Sequence, residues 1–133
     1  MTKKITISVV ISLVLIVAAV FLGSAGANKD QSKNIAGRKN IYMENGKQII
    51  EITARGGYFP KLNIAQKGLP TIIRIKTDNT YDCSSSVSIP KIGLRKILQP
   101  AGVEDIAIAE KDAIGELDGL CGMGMYNFKI DFK

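Results

Sequence analysis

Four sulfur-bearing residues carry the chemistry that this sequence offers: Cys83, Cys121, Met123 and Met125. Three of them form the run Cys-Gly-Met-Gly-Met from Cys121 to Met125, and Cys83 stands upstream, ahead of three serines. In a Cys-x-Met-x-Met run the sulfurs fall on alternate residues, so an extended or gently turned backbone aims all three the same way. Gly122 and Gly124 between them let that backbone bend and approach an ion closely. Thiolates and thioethers are soft donors that select Cu(I) over hard cations. Two thiolates would hold one Cu(I) firmly, and the uncharged thioethers would hold a second, exchangeable ion more weakly. That combination suits storage and hand-over of copper better than redox turnover.

The chain contains no histidine. The commonest metal ligand is therefore missing, and so is the commonest general base, along with Ser-His-Asp and Cys-His nucleophile activation. Any metal site must use sulfur or oxygen. Structural zinc fits poorly, since it wants four Cys or His ligands and the chain has two. With no base, nucleophile pair or phosphate loop in view, the sequence does not read as an enzyme.

Plainer roles exist for each of these residues. Cys83 and Cys121 could form a structural disulfide, as expected of a domain facing outward. Met123 and Met125 could fill gaps in a core. Their spacing, however, puts them on the parity of Cys121 and opposite to Tyr126, which begins the apolar stripe of the next strand. Ser84, Ser85 and Ser86 read as a loop and, without a base, receive no catalytic role.

The elements that must position these sulfurs are strands. Ile50 and Ile52 alternate with Glu51; Thr71, Ile73 and Ile75 alternate with Ile72, Arg74 and Lys76; Val87 and Ile89 alternate with Ser86 and Ser88. Ile106 and Ile108 flank Ala107, and Tyr126, Phe128, Ile130 and Phe132 share one face of a final strand. Turn signals separate these runs at Gly56-Gly57, Lys67-Gly68-Leu69-Pro70 and Asp78-Asn79-Thr80. Short strands at this spacing, with no helical window after residue 27, predict an all-β sandwich or small barrel. Cys83 falls in the loop entering the Ser86–Ile89 strand, and the Cys-Gly-Met-Gly-Met run falls immediately before the last strand.

Ahead of this body lies an uncharged apolar run, Ile5 to Leu22, close to the about 20 residues that cross a bilayer as a helix. A secretory signal peptide competes with that reading, with Lys3 and Lys4 as its basic flank and Ala25-Gly26-Ala27 as a cleavage site. The run is longer than the usual core of a signal, which favours a retained anchor. Lys29, Lys33, Arg38 and Lys39 outnumber Lys3 and Lys4, so the positive-inside rule places the domain on the cytoplasmic side, an orientation that cleavage would reverse. Residues 28–46 are polar, lack a period and end in the turn-forming Asn45-Gly46, reading as a tether. The expected organisation is thus an anchor over residues 1–27, a linker over 28–46 and one domain over 47–133.

The 18 basic against 12 acidic residues give a net charge of +6. That excess suits a protein beside an anionic membrane surface or simply a solvated basic face. No basic stripe carries interleaved aromatics, so nucleic acid is not an expected partner.

From about Gln48 to Lys133 the chain resembles the cupredoxin-like domains of bacterial copper-resistance systems. The resemblance rests on the early Ile-rich strand, on Gly-Gly-Tyr-x-Pro at Gly56 to Pro60, on Cys83 followed by Val87-Ser88-Ile89-Pro90, and on Cys121-Gly-Met-Gly-Met-Tyr. The layout of one apolar anchor, a tether and one domain is similar to the membrane-anchored Cu(I) chaperones of the CupA type. The resemblance implies a Greek-key cupredoxin-like β-sandwich behind a single N-terminal transmembrane helix, with a site for two Cu(I) ions. It assigns the tighter ion mainly to Cys83 and Cys121, and the looser one to Met123 and Met125 with a shared cysteine sulfur. It also implies a partner, a copper-exporting P-type ATPase, and a domain on the cytoplasmic face of the cell membrane. The sequence departs from blue-copper cupredoxins at the site itself, because those need two imidazoles. The reading set against this one is an exported, disulfide-stapled surface domain that binds another protein.

Overall fold

The computed structural model describes residues 39–133. The apolar run Ile5 to Leu22, the Ala25-Gly26-Ala27 stretch and most of the expected tether lie outside the described residues. Among the described residues the regular structure is strands, joined by turns and two short 3₁₀ turns.

Ten strands form two five-stranded sheets. The first sheet contains β1 (Ile41–Glu44), β2 (Lys47–Ala54), β3 (Tyr58–Phe59), β5 (Thr71–Thr77) and β8 (Gly102–Ile108). Its order is β1-β2-β5-β8, with β3 continuing the β1 edge by pairing with Thr53 and Ala54 of β2. The second sheet contains β4 (Leu62–Ala65), β6 (Ser86–Ile89), β7 (Leu94–Ile97), β9 (Gly115–Leu120) and β10 (Asn127–Phe132), in the order β4-β10-β9-β6-β7. Most pairs are antiparallel, but β2 runs parallel to β5, and β4 runs parallel to β10.

Period-2 patterning explains which faces meet. Ile50, Ile52 and Ala54 of β2, Ile73 and Ile75 of β5, and Ile106 and Ile108 of β8 point inward from the first sheet. Val87 and Ile89, Leu117, and Phe128, Ile130 and Phe132 answer from the second, and all share one buried cluster. The expected all-β, two-layer body is what forms.

Besides β1, four strands escape the alternation signal, each for a physical reason. In β4 the apolar Leu62 and Ile64 are exposed, while Asn63 and Ala65 are buried, inverting the usual pattern. Asn63 is tolerated inside because its amide oxygen accepts from Asn40 Nδ2 at 2.7 Å and its Nδ2 donates to Pro60 O at 3.1 Å. At the edge of its sheet, β7 is largely exposed. The inward positions of β9 are Leu117 and Gly119, and β3 has only two residues.

One boundary needs correcting. The stretch read as a tether over residues 28–46 contains β1, which pairs with β2 from Ile41↔Ile50 to Glu44↔Lys47. Only Ile41 of this strand is buried, so no run of alternating apolar residues announced it. Asn45 and Gly46 turn the chain between the two strands with φ values of +50° and +74°, the left-handed pair that a tight hairpin requires.

Candidate metal centre

Cys83 opens a 3₁₀ turn, Cys83–Ser85, that leads directly into β6. Asp82 caps this turn. One carboxylate oxygen accepts from the Ser84 amide at 2.7 Å and from the Ser84 hydroxyl, and the other accepts from the Gly56 amide at 2.8 Å. These donors favour the charged carboxylate and hold its pKa below the usual range, with the Ser84 hydroxyl contributing most. Downstream, the Leu98 amide donates to Ser85 O at 2.7 Å, which fixes the far end of the segment.

Cys121 follows β9 at the start of the turn into β10. Its amide donates to Tyr126 O at 2.9 Å, and the Gly124 amide donates to Cys121 O at 2.9 Å, closing a turn in which Gly124 has φ +71°. The Tyr126 amide also donates to Cys121 Sγ at 3.3 Å. The Cys-x-Met-x-Met run is therefore a closed turn, whereas the sequence suggested an extended or gently turned segment. In a turn, alternate residues no longer share a face: Cys121 is buried at 3 % exposure, while Met123 and Met125 stand out at 77 % and 66 %.

The fold brings the two cysteines together across 38 residues of sequence, with Cα atoms 5.7 Å apart and the sulfurs joined as a disulfide. Cys121 belongs to the buried core, and Cys83 is half-buried against it. The exposed positions of Met123 and Met125 also show that neither fills a gap in the core. Thus all four predicted site residues come from two adjoining segments at one end of the sandwich. The structure joins the thiols directly and carries the thioethers on the neighbouring turn.

The supporting roles of several groups were not read from sequence. Ser86 Oγ accepts from the Gly122 amide at 2.9 Å and donates to Cys83 O at 3.3 Å, so one hydroxyl ties the two cysteine segments together. A Cβ at Gly122 would lie 2.8 Å from that oxygen, so any side chain there would have to displace the Ser86 hydroxyl. The hydroxyl of Tyr58 donates to Ser86 O, and its ring meets Phe128 edge-on with centroids 5.2 Å apart. Burial, reinforced by the nearby Asp82 charge, pushes the Tyr58 phenol up to about 12. The one signal available in sequence was Asp82-Cys83-Ser84, an Asp two residues before a Ser, which is a familiar local capping pattern.

Chemically, the pair can exist as a disulfide or as two adjacent thiols. As thiolates they would present two soft donors side by side, with two soft thioethers nearby. Among the described residues no group of three or more His, Cys, Asp or Glu side chains could hold a metal, so this sulfur set has no oxygen-rich competitor of that size.

No protein-family model matches the chain, and no curated protein is significantly similar to it. Solved structures do share its fold. One is the metal-binding domain of the Cu(I)-exporting P-type ATPase CopA of Streptococcus pneumoniae D39, solved with Cu(I). It is 25 % identical with a TM-score of 0.63, over 70 % of this chain and 92 % of that one. Another is the solution structure of a copper-binding protein in its apo form, at 26 % identity and a TM-score of 0.63, covering 70 % of this chain and 94 % of that one.

Proposed function

We propose that this protein is a Cu(I)-binding metallochaperone or buffer of the cupredoxin-like class, serving copper resistance and not catalysing a reaction. The observation that carries this reading is the convergence of Cys83 and Cys121 at one end of the sandwich, in a chain with no histidine. Likeness to a Cu(I)-bound ATPase domain and to a copper-binding protein supports it.

In the reduced protein the two thiolates take one Cu(I). Cys121 supplies a buried donor, held by the Tyr126 amide, and Cys83 supplies a half-buried one at the start of the turn that Asp82 caps. Met123 and Met125, exposed on the same turn as Cys121, offer uncharged donors for a second, more loosely held ion. Their exposure suits hand-over, since an ion on a solvent-facing thioether can be taken by an incoming ligand without opening the core. The acceptor we assign is a copper-exporting P-type ATPase, through a domain with the same fold. The N-terminal apolar run would keep the domain at the membrane, on the cytoplasmic face, where thiols stay reduced.

The test is an anaerobic titration of the reduced full chain with Cu(I) against a colorimetric chelator. We expect tight uptake approaching two ions, lost when Cys83 and Cys121 are both replaced by serine. Retention of tight binding by that double variant would refute the reading.

The Cys83–Cys121 bond itself favours a second reading, an exported domain in which the disulfide is a permanent staple. A free-thiol count on protein taken directly from cells separates the two. Two reactive thiols support the copper reading, and none supports the staple.

A further inference from the structure

The two cysteines are joined, yet they are not equivalent. Cys121 is 3 % exposed, its amide is committed to Tyr126 O, its carbonyl accepts from Gly124, and its sulfur accepts from the Tyr126 amide. Cys83 is half-buried, begins a short 3₁₀ turn and follows the exposed Tyr81 and Asp82. One sulfur is therefore fixed and shielded, and the other sits in the partly accessible segment.

We infer that Cys83–Cys121 is a thiol–disulfide gate on the copper site, opened by a dithiol reductant that attacks Cys83 and expels Cys121. The consequence for copper rests on the function proposed above, whereas the exchange chemistry does not.

Exchange proceeds by attack of a thiolate on one sulfur of the disulfide, along the axis of the bond that breaks. A thiolate of the dithiol forms a bond to Cys83 Sγ as the Cys83–Cys121 bond breaks. Cys121 leaves as a thiolate, its sulfur already facing the Tyr126 amide, and takes up a proton. The second thiol of the reductant then attacks its own sulfur in the mixed disulfide, releasing Cys83 as a thiol and leaving the reductant as a disulfide. Two electrons pass from the dithiol to the protein, and the reverse sequence closes the gate.

The same sulfur orbitals serve both states. The joined pair has no thiolate to offer Cu(I), and a Cu(I) held by both thiolates keeps the sulfurs from pairing. Copper capture is thereby conditional on reduction, with Met123 and Met125 as the only sulfurs of the set left to the oxidised form.

The test begins with the oxidised full chain, treated briefly with glutathione, a monothiol with no second sulfur of its own to resolve the first mixed disulfide, and quenched before a further thiol can do so. The product is blocked with iodoacetamide and mapped by peptide mass spectrometry. We expect glutathione on Cys83 and the alkyl group on Cys121. In parallel, the single variants Cys121→Ser and Cys83→Ser are reduced and their remaining thiols alkylated. The thiol of Cys83 should react about tenfold faster or more, as access dictates. Glutathione found mainly on Cys121, or equal alkylation rates, would overturn the assigned direction of attack. A chain that keeps two free thiols after exposure to an oxidised dithiol would overturn the gate itself, while leaving Cu(I) binding intact. Conversely, exchange at Cys83 in a reduced chain that takes no Cu(I) would leave the gate standing and remove the copper reading.

Discussion

The Gly122 amide donates to Ser86 Oγ at 2.9 Å, and the same hydroxyl donates to Cys83 O at 3.3 Å. Ser86 thus spans the two cysteine segments with a single oxygen. The Ser86→Ala variant should keep its fold and lose this tie. A net hydrogen bond contributes about 1 kcal/mol, so Cu(I) affinity should fall about fivefold, with Ser86→Thr recovering most of it. Chelator competition on the three proteins measures the effect; equal affinities would exclude a positioning role for Ser86.

Met123→Ala and Met125→Ala alter exposed side chains, so stability should change by no more than about 0.5 kcal/mol. The first Cu(I) should bind nearly as before, and the second should weaken stepwise from one variant to the double variant. Titration by competition, paired with thermal melts, separates ligand loss from unfolding.

Gly119 and Phe128 are direct partners across β9 and β10, and the Phe128 ring fills the space where a side chain at Gly119 would go. An added Cβ would lie 2.1 Å from ring carbons. Gly119→Ala should therefore destabilise the domain by at least the upper end of the about 1–3 kcal/mol typical of overpacking. Urea denaturation checks this. The double variant Gly119→Ala, Phe128→Leu should recover part of the loss, because the ring that clashes is gone.

Two groups at the site end set opposite pH limits. Asp82 is held below its ordinary pKa by the Ser84 hydroxyl and then by the Ser84 and Gly56 amides. A depressed carboxyl contributes stability that is present above its unfolded pKa and is lost as pH falls through the folded one. Asp82→Asn should flatten stability against pH below the ordinary carboxylate range.

The Tyr58 phenol, raised to about 12, acts in the other direction. Its contribution is complete below the unfolded value of about 10 and declines as pH rises from there toward 12. Tyr58→Phe should remove this alkaline decline, at the cost of the hydrogen bond to Ser86 O. Denaturation midpoints collected across pH test both limbs.

The sequence showed most clearly those strands whose central inward residues are large and apolar, such as Ile73 and Ile75 in Thr71–Thr77 and Phe128, Ile130 and Phe132 in Asn127–Phe132. It failed where an inward position holds a glycine or a polar side chain, or where a strand buries too few residues to make a run. Gly119 is filled by a ring from the neighbouring strand, Asn63 is satisfied by Asn40, and β1 has a single buried residue. Such solutions depend on partners distant in sequence, which a local pattern cannot reveal. A candidate set of soft sulfur donors at Cys83, Cys121, Met123 and Met125 was legible from residue type. The closed turn that separates a buried cysteine from exposed methionines was not, because glycines permit an extended and a turned backbone alike.

The placement of β10 has a temporal consequence. It lies between β9 and β4, running parallel to a strand more than sixty residues earlier, with Lys129 opposite Leu62. Contacts of such long sequence separation form late and slowly. A nascent chain that has emerged only as far as β7 carries one cysteine and an incomplete second sheet. Under the proposed function, copper capture by the two cysteines should therefore await synthesis of the whole domain, so that a half-made chain on the ribosome does not sequester the metal.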